Sequence, residues 1–186
     1  MGIPTLKIDT VSIDATRRLP QASFNIAPSK KQTVARAVTG RLFIQAQYEK
    51  YSIGIQGISQ KTYPDLRTLY QEGNQVDLYS IVPRKETFSP SGSTNQFVTT
   101  RKIRTDDASA NIVVQFPAGT PLVGASYSVL NLTNTGKVTT TFTPAVGSST
   151  LLVYYYPIIQ GYIQPMTATY DWVRDEETWD LTFEES

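Results

Sequence analysis

Along most of the chain, apolar and polar residues alternate in short runs, the period of two that marks strands with one buried face. Leu6 and Ile8, followed after a one-residue slip by Val11 and Ile13, predict a first strand over residues 5–13 with a bulge near Thr10. Residues 14–38 contain Pro20 and Pro28 and little periodicity, which predicts a long loop or arm with a short extended piece at 22–26. Next, Leu42, Ile44, Ala46 and Tyr48 keep one phase, and Tyr51, Ile53, Ile55 and Gly57 keep the other. Two strands joined at Glu49-Lys50 account for that change, although neither residue is the Asn or Gly that a tight primed turn favours.

One segment has helical spacing. Pro64 suits a first helical turn, Asp65 complements the positive end of the helix dipole, Leu66, Leu69 and Tyr70 form an i, i+3, i+4 stripe, and Gly73 supplies a stop. The helix is predicted over 64–72, followed by a strand over 75–82 closed by Pro83. Between 85 and 107 turn residues dominate: ETFSPSGSTNQ, a brief alternation in FVTTRKIR, then TDDASAN. Short strands follow at 112–116, 126–132, 137–143 and 151–156, and Asn134-Thr135-Gly136 has the chemistry of a hairpin turn. At the end of the chain Tyr170, Trp172 and Arg174 share one face and Trp179, Leu181 and Phe183 another, with Asp175-Glu176-Glu177 between them. Large aromatic rings aligned on one face call for burial, so this end reads as a structural hairpin.

Composition sharpens the fold class. The chain has 24 Thr, 15 Ser, 11 Tyr and 7 Phe, residues at home on a pleated surface or in turns. The expectation is a mainly β protein: a β-sandwich or β-barrel core with one short α-helix and an inserted small β-sheet. Residues 1–87 and 161–186 form the expected core, and 88–160 the expected β-rich insertion. No apolar run approaches the roughly 18 residues of a membrane span, and MGIPTLKIDT lacks the charged-then-apolar layout of a secretory signal. A chain made in the cytoplasm, with no membrane partner, is expected.

The chain has no Cys and no His, which removes thiol and imidazole nucleophiles and bases, disulfides and ordinary zinc sites. No catalytic residue, metal or cofactor is expected. A net charge of +1 argues against a dedicated nucleic-acid binder, which carries a basic surplus to displace counterions. The charges are nevertheless segregated. Arg17, Arg18, Lys30, Lys31, Arg36, Arg41 and Lys50 face a single acid, Glu49, between residues 16 and 50. The last sixteen residues hold Asp171, Asp175, Glu176, Glu177, Asp180, Glu184 and Glu185 against Arg174. Complementarity between neighbouring copies and neutralisation within one sheet both account for this pattern. As interface charges the candidates are Arg17, Arg18, Lys30, Lys31 and Arg36 against Asp175, Glu176, Glu177 and Glu184. Asp106-Asp107 lacks the further spaced acids of a calcium loop and reads as a turn. Tyr154, Tyr156 and Tyr162 form an alternative ligand platform, for which packing in the core and at its rim is an equal explanation.

Three stretches, RLFIQAQYEKYSIGIQGI, TYPDLRTLYQEGNQVDLYS and the closing YDWVRDEETWDLTFEE, together resemble small virion structural proteins of tailed bacteriophages, of the tail, baseplate or neck kind. The resemblance covers about half the chain. It implies a β-sandwich or barrel core with a flanking helix, assembled into a homo-oligomeric ring, commonly a hexamer, in contact with other tail or baseplate proteins of the virion. It carries no catalytic residues. The alternative function is a carbohydrate- or receptor-binding β module working through the tyrosines. A glycan hydrolase working through the C-terminal carboxylates would need two acids about 5 to 10 Å apart in a cleft.

Overall fold

The computed structural model of the chain describes residues 4–13, 24–36, 42–58, 62–108, 112–147, 149–171 and 176–186. In chain order they form β1 (Leu6–Ile8), β2 (Val11–Ile13), β3 (Phe24–Arg36), β4 (Leu42–Ile58), α1 (Thr62–Glu72), β5 (Val76–Tyr79), β6 (Arg84–Phe88), β7 (Gln96–Val98) and β8 (Lys102–Ile103). They continue as β9 (Val113–Gln115), β10 (Tyr127–Asn131), β11 (Gly136–Thr140), β12 (Leu151–Tyr155), β13 (Pro157–Ile163), β14 (Thr167–Asp171) and β15 (Glu176–Glu185). The protein is mainly β, with a single α-helix among the described residues and antiparallel sheets, as the alternation predicts. The chain divides into two units, residues 1–12 with 77–159 and residues 13–76 with 160–186. Residues 88–159 of the expected insertion therefore group with 77–87 and with the N-terminal segment.

The first unit is built around two three-stranded antiparallel sheets, β10–β11–β7 and β6–β12–β9. Alternation along each strand sends Phe97 and Val138 from one sheet, and Val114, Leu151, Val153 and Tyr155 from the other, into a common core with Ile103 of β8. Phe88 and Phe97 meet there with ring centroids 5.6 Å apart in a tilted pair. The turn at Asn134-Thr135-Gly136 joins β10 to β11, placing Asn131 opposite Gly136. Gly136 is required by close approach: a Cβ there would lie 2.5 Å from Ile103 Cγ1.

The bulge expected near Thr10 is a full interruption. Asp9 adopts a positive φ of 55° and donates its N–H to Asp77 O at 2.8 Å, splitting the predicted strand into β1 and β2. A short polar side chain tolerates that left-handed geometry better than most. β1 pairs antiparallel with β5, Lys7 opposite Tyr79 and Ile8 opposite Leu78.

Arg104 is fully buried. Its Nε donates to Asp106 Oδ1 at 2.8 Å, Nη1 to the carbonyls of Tyr79 and Ser80 at 3.2 and 3.1 Å, and Nη2 to the carbonyl of Thr5. Lys7 Nζ reaches Asp106 Oδ2 at 2.7 Å, and Thr5 N donates to Asp107 Oδ2 at 3.0 Å. Asp106-Asp107, expected as a turn, supplies the counter-ions of a buried guanidinium. Burial acts to raise the Asp106 carboxyl, but the hydrogen bonds and charges of Arg104 and Lys7 outweigh it and hold the carboxyl below its ordinary value.

The second unit carries the sheet β13–β15–β4–β3, with β14 pairing the other half of β15. Its buried side holds Ile53, Ile55, Ile163, Trp179, Leu181 and Phe183, the apolar phase expected of the C-terminal hairpin. Trp172 lies outside the described residues. α1 begins two residues before Pro64, buries Leu66, and ends at Gly73, whose φ of 65° suits a C-terminal stop.

Asp106 is held below the pKa of about 3.9 that a carboxyl has in the unfolded chain, so it stabilises the fold above that pH. That stabilisation is lost as pH falls through the depressed value. Asp106→Asn is expected to lower unfolding free energy at pH 7 by about 2 kcal/mol, because a buried guanidinium loses its carboxylate. The variant's stability should also vary less with pH below about 4. Urea unfolding of both proteins between neutral and acid pH measures both effects.

Candidate assembly interface

β3 and β4 depart most from expectation. Where a loop with an extended piece at 22–26 was expected, β3 is one strand of 13 residues. Where a hairpin was expected at Glu49-Lys50, β4 runs unbroken for 17 residues and pairs with β3 along its length. The ladder shows why. Lys31 lies opposite Tyr48 but Gln32 lies opposite Ala46, so Gln47 is an extra residue in a bulge. One extra residue reverses the side of every position beyond it. Positions 42, 44 and 46 therefore line up with 51, 53 and 55, and the phase change that suggested a turn is a bulge within one strand.

The central strand β15 is shorter than the ladder beside it. It pairs with β4 from Thr178 opposite Ile58 to Glu184 opposite Ser52. Tyr51 N donates to Glu185 Oε2 of β15 at 2.9 Å; beyond it, residues 42–50 of β4 pair in strand ladders only with 29–36 of β3 among the described strands, forming a two-stranded ribbon. At the other end, β15 continues past Thr178 to Glu176 with β14 as its one partner among the described strands, Tyr170 opposite Glu177 and Asp171 opposite Glu176. Thr167, Ala168, Thr169 and Tyr170 of β14 are all exposed.

Five of the nine charge candidates fall on these two features. Lys30, Lys31 and Arg36 belong to β3, and Glu176 and Glu177 to β15. Arg17, Arg18 and Asp175 lie outside the described residues. Glu184 is exposed on the outward phase of β15, where its Oε2 accepts from Gln164 Nε2 at 2.9 Å. Asp180, on the same phase, accepts from Gln56 Nε2 at 3.2 Å. Trp179, on the opposite phase, is buried between positions Ala168 and Gly57, and its Nε1 has no hydrogen-bond acceptor among the described residues.

The three tyrosines of the alternative platform differ in exposure. Tyr156 is only 4% exposed and offers no ring face to a ligand. Tyr154 is half-buried on the outer side of β12, with Lys85 Nζ 5.8 Å above its ring. Tyr162 is exposed and belongs to the second unit. Strand alternation separates Tyr154 from Tyr155, whose side chain enters the core instead.

Periodicity did not single out the first unit's polar clasp. The buried Tyr155 hydroxyl donates to Glu86 Oε1, and Thr100 donates to the same carboxylate through its N–H at 3.0 Å and its hydroxyl at 2.6 Å. Arg84 Nε lies 3.2 Å from Glu86 Oε1. Fold-supplied donors occupy this carboxylate, so it acts as a clasp between β6, β12 and the Thr100 turn. Glu86 shares the inward phase of β6 with Phe88, but within the polar run RKETF it gave no signal that it would be a hub. Burial, the hydrogen bond to Glu86 and the charge of Glu86 push the Tyr155 hydroxyl well up from its ordinary value.

Tyr155→Phe is expected to cost about 1 to 2 kcal/mol in urea unfolding at pH 7, the price of a buried charge-assisted hydrogen bond. Because the folded value lies above the unfolded value of about 10, the native Tyr stabilises fully below that pH and less as pH rises past it. The variant should therefore lose stability less steeply than the parent above about pH 10.

No family model matches the chain, and comparison with curated proteins finds no similar sequence.

Proposed function

We propose that this chain is a non-enzymatic structural subunit of a tailed-phage virion, a ring-forming component of the tail, baseplate or neck. The phage assignment rests on the three stretches that resemble such proteins. The assembly role rests on one observation, the β3–β4 ribbon. An isolated two-stranded ribbon is marginal in water and needs a further strand or packed face for stability. Here eight residues of β3 (29–36) and nine of β4 (42–50) extend past their neighbour β15 with no third strand among those described. A second copy, or another virion protein, supplies what the ribbon lacks.

The rival readings have weaker support. A sugar-binding platform needs adjacent exposed rings, and Tyr156 is buried. A carboxylate hydrolase needs two acids converging in a cleft, whereas Asp180 and Glu184 sit on the outward phase of one strand.

Light scattering on the purified chain tests the assembly role, with an oligomer of discrete mass expected. Excising residues 31–48 and closing Lys30 to Glu49 with an Asn-Gly turn should give a folded monomer with most of its β circular dichroism. An unchanged oligomer without the ribbon, or a monomeric parent at every concentration, would overturn the reading.

A further inference from the structure

The two overhanging ribbons differ in position and in charge. The β3–β4 ribbon leaves the sheet of the second unit at the Ser52–Glu184 end, and the tip of the β14–β15 hairpin leaves it at the Ile58–Thr178 end. Within residues 29–36 and 42–50 there are four bases, Lys30, Lys31, Arg36 and Lys50, against Glu49. Strands β14 and β15 hold six acids, Asp171, Glu176, Glu177, Asp180, Glu184 and Glu185, and no base. Each feature also offers an open strand edge: β3 pairs only with β4, and β14 only with β15, among the described strands.

One copy cannot join these edges to each other within its own sheet. β15 and β4 lie between β14 and β3, so three strand spacings, about 14 Å, separate the two edges. Lys30, Lys31 and Arg36 on β3 and Asp171, Glu176 and Glu177 at the far end of β14 and β15 are therefore separated by more than the Debye length of about 8 Å at physiological salt, which screens their attraction within one copy. A second copy can bring them together. Two copies meeting ribbon to ribbon would set bases against bases, and hairpin to hairpin acids against acids, so both symmetric pairings are disfavoured.

We propose that copies of this chain join head to tail, the basic β3–β4 ribbon of one adding to the open β14 edge of the acidic β14–β15 hairpin of the next. This rests on the assembly reading above and adds its polarity. Such a contact uses two different patches of the same molecule, so it propagates to a closed ring or to an open filament, according to the rotation between copies. Backbone hydrogen bonds along the edges supply affinity, and the charges choose the partner and register.

Charge reversal tests the proposal. Lys30→Glu with Lys31→Glu, and separately Glu176→Lys with Glu177→Lys, should each convert the oligomer to monomer in light scattering, with circular dichroism unchanged. The chain carrying all four substitutions should regain the oligomer, as should an equimolar mixture of the two double variants. Wild-type association should also weaken as salt approaches about 1 M, where the Debye length is about 3 Å. A wild type that is monomeric throughout sinks the assembly reading and this proposal together. An oligomer indifferent to both double variants sinks this proposal alone.

Should a double variant fail to fold, cross-linking decides the matter in the otherwise native chain, which has no cysteine of its own. Thr33→Cys on β3 and Thr169→Cys on β14 should give a bis-maleimide dimer only when mixed. A dimer from either variant alone, or none from the mixture, overturns head-to-tail joining.

Discussion

A guanidinium with no exposed surface is the constraint on which the first unit depends. Stripping an arginine of water costs several kcal/mol, and the cost is met only when the surroundings satisfy its donors. Arg104 meets this with hydrogen bonds to the Asp106 carboxylate and to the backbone carbonyls of Thr5, Tyr79 and Ser80, and with the Asp107 carboxylate 3.8 Å away. Thr5 and Ser80 lie just beyond the β1–β5 ladder, which ends at Lys7 opposite Tyr79, so the guanidinium supplies donors where the ladder stops. One side chain thus fixes the N-terminal segment against β5 and against the stretch after β8. Stability is concentrated in a polar knot that hydrophobic patterning does not describe.

The legible parts of the fold are those decided locally. The helix followed from Pro64, Asp65, the Leu66–Leu69–Tyr70 stripe and Gly73, and the β10–β11 hairpin from Asn134-Thr135-Gly136, because caps and turns are set by residues a few positions apart. The buried phase of Trp179, Leu181 and Phe183 followed from alternation alone. β3 was illegible because its residues, FNIAPSKKQTVAR, have no strand pattern of their own. A long-range ladder with β4 imposes extension on them, and tertiary pairing outweighs weak propensity. The bulge at Gln47 was misread for a related reason, since a phase change in a strand and a turn between two strands leave the same mark on a sequence.

Candidate residues divide along the same line. Charge segregation is a property of composition, so Lys30, Lys31, Arg36, Glu176 and Glu177 were visible without a structure. That they lie on overhangs at opposite ends of one sheet was not, because it depends on how far β4 outruns β15 in the ladder. Arg104 and Glu86 stayed hidden because strand alternation registers apolar phase and does not separate a buried charge from a solvated one. In hindsight, an arginine followed at two and three residues by aspartates is the signal that Arg104 carried.

The bulge has a further consequence. A strand of 13 residues with one edge unpaired among the described strands is a template for indiscriminate stacking, the first step toward fibrils. Pro28 offers no amide hydrogen, neighbouring lysines repel their own kind, and the bulge increases local twist, so flat copies cannot nest. The ribbon is thereby sticky toward a matching shape and poor material for amyloid.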